Sequence, residues 1–241
     1  MQYLDRGRME AIESGAFQEA HPFPWTNPAG FIAPDGYEQL RADLPPVGLF
    51  KSSFGMNRAH GQQPHDRYTL EYRDSLPVAD SWKAFVGELK GPDYRAFIAR
   101  LFGIRRFFLT FHWHYTPNGC SVSPHCDAPH KVGSHIFYFN TEEDWDPAWG
   151  GETLILDDKG RFPADSAPAF EDFGGTVTAN ALGNNSLLFG RRGNSWHGVR
   201  EIACPPNRLR KVFIVVVNSY TPKAVIKSVL RTGTLPGWRS K

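Results

Sequence analysis

The sequence predicts a mainly β protein with packed helices, built on a double-stranded β-helix (jelly-roll) core. Two observations predict this fold class. After residue 105, short apolar runs with a period of two residues are separated by turns, a pattern typical of sandwiches and barrels. Before residue 105, the readable elements are helical. The β runs have no helix-length spacing between them, which favours antiparallel sheets over a parallel α/β layout.

Six strands are predicted in the second half of the chain. They cover residues 106–115, 134–140, 152–157, 185–189, 197–202 and 210–219.

Three helices are predicted in the first half of the chain, at residues 34–44, 81–89 and 92–102. We expect Ser81 to cap the second helix, and Pro92 and Gly103 to mark the first turn and the end of the third. The polar segment 51–74 between the first two helices is expected to form a long loop or a hairpin. No repeat or Pro/Gly-rich linker interrupts the chain, so a single domain is expected over residues 1–241. Within it, residues 1–104 would give helical support, 105–220 the jelly-roll core and 221–241 a C-terminal extension.

Charge and cysteine content exclude several classes of protein. Lys and Arg number 27 against 25 Asp and Glu, so no strong field would attract nucleic acid or an anionic membrane. A substrate must therefore be selected by a pocket. The N-terminus lacks the apolar region of a signal peptide and the run Val212–Val217 is too short to span a bilayer, so a cytoplasmic location is expected. The three cysteines lack C-x-x-C spacing, which argues against disulfides or a structural zinc site.

His125, Cys126 and Asp127 form an H-x-D element, which is a weak signal by itself. On an extended segment, residues two apart point to one side, so His125 and Asp127 can bind one ion while Cys126 faces away. His197 opens a later strand and is expected to supply the third ligand, because late strands of a jelly roll lie across from early ones. Two imidazoles and one carboxylate suit a non-haem Fe(II) oxygenase. Zinc enzymes also use this set, so the three residues alone leave the metal open.

The segment from about residue 106 to 219 resembles the prolyl-4-hydroxylase-like branch of the Fe(II)/2-oxoglutarate oxygenases, whose core is a double-stranded β-helix. The resemblance rests on five blocks in the expected order. They are Tyr115 ahead of the H-x-D element, Ile136-Phe137-Tyr138-Phe139-Asn140, Trp145 followed by Gly150-Gly151-Glu152, His197-Gly198-Val199, and a basic residue opening the last strand.

The resemblance implies that 2-oxoglutarate chelates the iron and that a cation binds its distal carboxylate. Arginine suits that role because its guanidinium can bind a carboxylate with two hydrogen bonds. Arg210 is preferred, with Val212 on the same inward side, and Arg208 is the alternative. By the same resemblance, Tyr138 donates its hydroxyl to this carboxylate, and Tyr115 lies near the iron end of the co-substrate.

The implied activity is a dioxygenase reaction that hydroxylates an unactivated C–H bond while 2-oxoglutarate is decarboxylated to succinate. The expected cofactors are Fe(II), 2-oxoglutarate and O2, with ascorbate as a candidate reductant. A carboxylate at Asp127 favours hydroxylation, because related halogenases have a small residue there. The expected substrate is a small metabolite, an amino-acid derivative or a prolyl-like peptidyl residue, selected by the N-terminal part and the loops 51–74 and 128–133. A nucleic-acid substrate is disfavoured, because Val216 stands where that branch carries an arginine.

Two alternatives remain open from the sequence. A cupin-like jelly-roll protein could bind a metal or a sugar without oxidation, and a lyase or isomerase could use the same barrel. A binding module has no reason to place Tyr138 and Arg210 in one cavity, so that clamp discriminates between the classes. His60, His65 and Asp66 could suggest a second metal site, but their spacing in a polar segment favours a solvated loop. His112 and His114 are expected to point away from the inward face of Tyr115.

Overall fold

The computed structural model describes residues 2–222, 225–226 and 229–230, so most of the expected extension 221–241 lies outside the described residues. This part of the chain contains five α-helices and eleven β-strands. The helices are α1 (Arg6–Ala11), α2 (Ser14–Glu19), α3 (Pro34–Ala42), α4 (Asp80–Lys90) and α5 (Pro92–Phe102). The strands are β1 (Trp25–Thr26), β2 (Lys51–Ser53), β3 (Arg67–Glu71), β4 (Phe107–Pro117), β5 (Val122–His125), β6 (Lys131–Tyr138), β7 (Leu154–Asp157), β8 (Gly175–Thr178), β9 (Ser186–Gly190), β10 (His197–Val199) and β11 (Leu209–Ser219).

The strands form two antiparallel sheets that face each other. The larger sheet has the order β1-β9-β6-β11-β4-β3-β2, and the smaller sheet has the order β5-β10-β7-β8. Strands β4, β6, β9 and β11 alternate along the chain with strands of the smaller sheet, so the chain winds between the two sheets. This winding is that of a double-stranded β-helix, and it confirms the predicted fold class.

The helices cover one face of the larger sheet. The Trp82 ring of α4 lies 5.0 Å, centroid to centroid, from both Trp113 on β4 and Phe213 on β11. Phe85 of the same helix lies 5.5 Å from Phe137 on β6. All of these rings are almost completely buried, and burying a large apolar side chain contributes roughly 1.5–3 kcal/mol. This packing leaves the opposite face of the sheet to line the space between the sheets.

The six predicted strands correspond to β4, β6, β7, β9, β10 and β11, with ends displaced by a few residues. The segment 51–74 contains β2 and β3, which pair antiparallel across a long loop, as in the hairpin alternative. With β1, these strands extend the larger sheet into the region expected to be helical support. Strands β5 and β8 are not evident from the sequence, because β5 contains Pro124 and β8 has three exposed residues and no apolar alternation.

The ends of the predicted helices agree with the structure at two positions and differ at a third. Pro92 occupies the first turn of α5, and Gly103 ends that helix in a left-handed conformation with φ 66°. Ser81 does not cap α4, since the N-cap is Ala79; the Ser81 hydroxyl instead donates to the Asp43 carboxylate over 2.6 Å. No helix in the described ranges is long and apolar enough to cross a membrane.

We predict that replacing Gly133 with alanine destabilises the protein. Gly133 lies on β6 beneath the Phe102 ring of α5, and an added Cβ would overlap both that ring and the Phe189 carbonyl oxygen. Overpacking of this kind lowers the free energy of unfolding by about 1–3 kcal/mol. Gly87→Ala is the matched control, because this exposed position of α4 has open space and should gain about 0.5–1 kcal/mol. Urea unfolding of both variants measures the difference, and equal stabilities would contradict the packing described.

Candidate functional site

His125, Asp127 and His197 meet at one edge of the smaller sheet. His125 is the last residue of β5, and it pairs directly with His197, the first residue of β10. Asp127 follows His125 by two residues, so its carboxylate lies on the same side. One potential ligand atom from each residue lies within 4.8 Å of the other two. All three side chains are less than a tenth exposed, so the structure brings together the predicted metal ligands.

Both imidazoles are oriented by backbone carbonyls. The Nδ1 atom of His125 lies 3.0 Å from the Ser123 carbonyl oxygen, and the Nδ1 atom of His197 lies 3.0 Å from that of Ser195. A carbonyl oxygen can only accept, so each Nδ1 donates and each Nε2 keeps its lone pair for a metal. Burial lowers the pKa of both imidazoles. The two rings are therefore neutral near pH 7, as metal binding requires.

Asp127 supplies the anionic oxygen of the set. Its carboxylate accepts a hydrogen bond from Lys131 Nζ over 2.6 Å and one from Ser134 Oγ over 3.4 Å. Burial raises the pKa of this carboxyl, but the neighbouring Lys131 cation, which also donates a hydrogen bond to it, helps to hold the pKa below its ordinary value. Two neutral imidazole nitrogens and one ionised carboxylate on one side of a shared point fit a divalent transition metal.

The triad opens into a cavity of about 1040 Å³ between the two sheets. The larger sheet contributes side chains of β3, β4 and β11 to its wall, and the smaller sheet contributes the triad. Arg210 lies in this wall and is 7% exposed, whereas Arg208 is exposed to solvent outside it. The structure therefore places Arg210 and the triad in one cavity, whereas Arg208, the alternative arginine, lies outside that cavity.

Arg210 is held by the segment that follows Gly150. Its Nε donates to the Gly151 carbonyl oxygen, and its Nη2 donates to Thr153 Oγ1 over 3.2 Å. The Tyr138 hydroxyl donates to the same Thr153 oxygen over 3.0 Å. The guanidinium carbon lies 5.7 Å from the centre of the Tyr138 ring. Because Thr153 accepts two hydrogen bonds, its own hydroxyl hydrogen remains to donate into the cavity that Thr153 lines.

No protein-family model and no curated protein matches the chain. Its backbone does resemble solved structures. A Pseudomonas putida prolyl-4-hydroxylase matches with a TM-score of 0.61 and 15% identity, over 86% of this chain and 99% of that one. A Trichoplax adhaerens prolyl hydroxylase, solved with a peptide fragment of the hypoxia inducible factor oxygen degradation domain, matches with a TM-score of 0.63 and 14% identity, over 89% and 90% of the two chains. A non-haem α-ketoglutarate-dependent carbocyclase of nogalamycin biosynthesis matches with a TM-score of 0.63 and 10% identity, over 97% and 96%.

The chain has the fold of the Fe(II)/2-oxoglutarate oxygenases. At 10–15% identity this likeness shows the fold alone.

Within this oxygenase fold, Tyr115 does not lie in the cavity, contrary to its expected position near the iron end of the co-substrate. Its hydroxyl donates to the Pro45 carbonyl oxygen over 3.1 Å, and its ring packs 4.3 Å from that of Phe50, on the helix side of the sheet. The reason is register. Tyr115 pairs with Lys211, so it shares a face with Lys211, whereas Arg210 pairs with Thr116. His112 and His114 therefore face the cavity, and their expected orientation was wrong.

His65 and Thr153 are residues of the cavity wall that the sequence analysis missed. His65 was interpreted as part of a solvated loop, but it is 7% exposed, its Nε2 lies 3.0 Å from Ser123 Oγ and its ring lies 4.6 Å from that of His125. Burial, with smaller contributions from nearby arginines, lowers its pKa to about 3. No local pattern marks His65, since a distant strand buries it. Thr153 had a partial signal, because it directly follows the Gly150-Gly151-Glu152 block.

We predict that Asp127→Ala weakens Fe(II) binding by more than about tenfold, because a neutral water cannot replace a carboxylate ligand equally well. Cys126→Ala is the control. Its thiol contacts the Gly193 carbonyl oxygen at 3.6 Å and packs against the buried cluster of Leu154, Leu156 and Trp196. Anaerobic titration with Fe(II), with circular dichroism as a check of folding, measures the difference. Equal losses in both variants would mean structural damage and would leave Asp127 without a specific role in metal binding.

Proposed function

We propose that this protein is an Fe(II)/2-oxoglutarate-dependent dioxygenase that hydroxylates an unactivated C–H bond. The observation that carries the proposal is the presence of the His125, Asp127 and His197 triad and of buried Arg210 in one cavity. A metal-binding module needs only the triad. A buried arginine facing the same space calls for an anionic second ligand, which a dioxygenase of this fold has in its co-substrate.

The triad would hold the iron through the Nε2 atoms of His125 and His197 and one carboxylate oxygen of Asp127. When bound, iron and 2-oxoglutarate supply the oxidising chemistry: one oxygen atom of O2 enters succinate as 2-oxoglutarate loses CO2, and the other enters the C–H bond as a hydroxyl. Ser123 and Ser195 carbonyls keep the imidazoles in the ligating tautomer. Lys131 and Ser134 hold the Asp127 carboxylate in position, which fixes the geometry of the donor set.

Arg210 would bind the distal carboxylate of 2-oxoglutarate. Its guanidinium is buried, and the groups to which it donates hydrogen bonds, the Gly151 carbonyl and the Thr153 hydroxyl, are neutral. A buried cation paired with a carboxylate is far better satisfied than one with neutral acceptors alone. The Thr153 hydroxyl would donate to the same carboxylate. Tyr138 would then act through Thr153 by orienting its oxygen, a different role from the direct hydrogen bond expected from the sequence.

The substrate is proposed to be a small molecule or a peptidyl residue. The Trichoplax adhaerens structure contains a peptide, which shows that this fold admits peptides. The carbocyclase has the same fold, so the fold by itself does not choose the reaction.

Succinate formation tests the proposed function. Metal-free protein supplied with Fe(II), O2, ascorbate and 2-oxoglutarate should release succinate slowly even without a substrate, and Asp127→Ala should release none above a protein-free control. Absence of succinate from the unmodified protein, together with tight retention of zinc, would favour the non-oxidative binding protein.

We further predict that Arg210→Ala weakens 2-oxoglutarate binding by roughly two to three decades, because it removes the only buried cation proposed to face the distal carboxylate. Arg208→Ala should change the affinity little, since this side chain is exposed. Anaerobic calorimetric titration of the Fe(II)-loaded variants gives both dissociation constants. A larger loss in Arg208→Ala would assign the carboxylate to the other arginine.

A further inference from the structure

Three more arginines, Arg58, Arg67 and Arg73, line the same cavity as the triad and Arg210, and the first two lie where a ligand could meet them. Arg67 opens β3, whose Tyr68 pairs with Tyr115 of β4, so Arg67 lies beside Thr116. Arg210 pairs with Thr116 from the other side. The two arginines therefore flank Thr116 on the cavity face, two strands and about 10 Å apart. This separation leaves room for a second anionic group beside the co-substrate.

Arg58 and Arg67 make hydrogen bonds only to neutral groups within the described ranges. Arg58 donates through Nε and Nη2 to Gln62 Oε1, over 3.3 and 3.2 Å. Arg67 donates through Nη1 to the His65 carbonyl oxygen over 3.2 Å, and its buried Nε has no partner. Neither arginine forms an ion pair there. A buried guanidinium hydrogen without an acceptor is unfavourable unless a ligand supplies one.

The cavity wall also carries more positive than negative side chains. Its cationic residues are Lys51, Arg58, Arg67, Arg73, Lys131 and Arg210, and its carboxylates are Glu71 and Asp127. Asp127 is already paired with Lys131, and Arg210 is proposed to bind 2-oxoglutarate. Burial first, and then the nearby Arg58, lower the pKa of Arg67 to about 10, so Arg67 remains charged near neutral pH. A bound divalent metal would add further positive charge.

We infer that Arg58 and Arg67 form a binding subsite for an oxyanion carried by the substrate, which makes the substrate a small organic acid, either a carboxylate or a phosphate ester. The inference rests on the proposed function and defines the substrate class of that site. Arg67 donates to the carbonyl oxygen of His65, whose ring lies 4.6 Å from that of His125, so the subsite lies near the metal position. The cavity of about 1040 Å³ is slightly larger than the usual small-molecule site of roughly 300–1,000 Å³, and can hold such an acid beside 2-oxoglutarate.

The test uses inorganic phosphate and benzoate as probes, because each carries one of the two oxyanions and neither mimics the chelating end of 2-oxoglutarate. Each probe is titrated anaerobically into protein loaded with Fe(II) and saturating 2-oxoglutarate, and separately into metal-free protein, with NMR line widths of the probe as the readout. The variants are Arg67→Gln and the less buried Arg58→Gln, with exposed Arg208→Gln as the matched control. Affinity for 2-oxoglutarate is measured for each variant.

At least one probe should bind the unmodified protein, and Arg58→Gln and Arg67→Gln should each weaken that binding by roughly ten- to hundredfold. Arg208→Gln should bind the probe as the unmodified protein does, and all three variants should keep their affinity for 2-oxoglutarate. Phosphate binding alone would identify a phosphate ester, and benzoate binding alone a carboxylate. The inference is overturned if neither probe binds, if both variants bind as the unmodified protein does, or if Arg67→Gln weakens 2-oxoglutarate instead. If the protein fails to bind Fe(II) but the metal-free protein still binds a probe through Arg58 and Arg67, the anion subsite is supported and the proposed oxygenase function is overturned.

Discussion

The antiparallel pairing of β4 with β11 sets the two faces of the larger sheet, and the rest of the molecule depends on it. The pairing runs along the full length of both strands, from Leu209 opposite Pro117 to Ser219 opposite Phe107. Directly opposed residues point to the same side. One face therefore carries Trp113 and Phe213 against the helices, and the other carries His114 and Arg210 into the cavity. A shift by one residue would exchange the apolar and the polar faces.

The helices stabilise this arrangement from one side only. Trp82 and Phe85 of α4 bury the aromatic rings of the larger sheet. On the opposite face, a smaller apolar cluster that includes Ile136 and Ile155 joins the two sheets beside the cavity. The cavity is lined by imidazoles, hydroxyls and guanidiniums as well as by apolar side chains. Charged groups in such a space are poorly solvated, and their mutual repulsion is relieved when ligands of opposite charge bind. Functional sites commonly retain such locally unfavourable arrangements.

The comparisons separate fold from function. A prolyl-4-hydroxylase and a carbocyclase both match this backbone at 10–15% identity, so one scaffold accommodates more than one reaction. What this chain would do is decided by the residues of its cavity wall. The triad and Arg210 support binding of a metal and an acid co-substrate, and Arg58 and Arg67, contributed by the β2–β3 hairpin that extends the sheet, support recognition of a further anion.

The sequence by itself determined the features that depend on local geometry. Period-two alternation predicted the core strands, Pro92 and Gly103 predicted the limits of α5, and the spacing of His125 and Asp127 predicted that both side chains point to one side. Only the tertiary structure decided which face of β4 the helices cover, and so Tyr115 lies outside the cavity while His114 lies within it. It also decided the burial of His65 against His125 and the contact of Thr153 with Arg210. Those contacts join residues distant in sequence, and alternation within one strand defines two faces without specifying which of them the neighbouring elements bury.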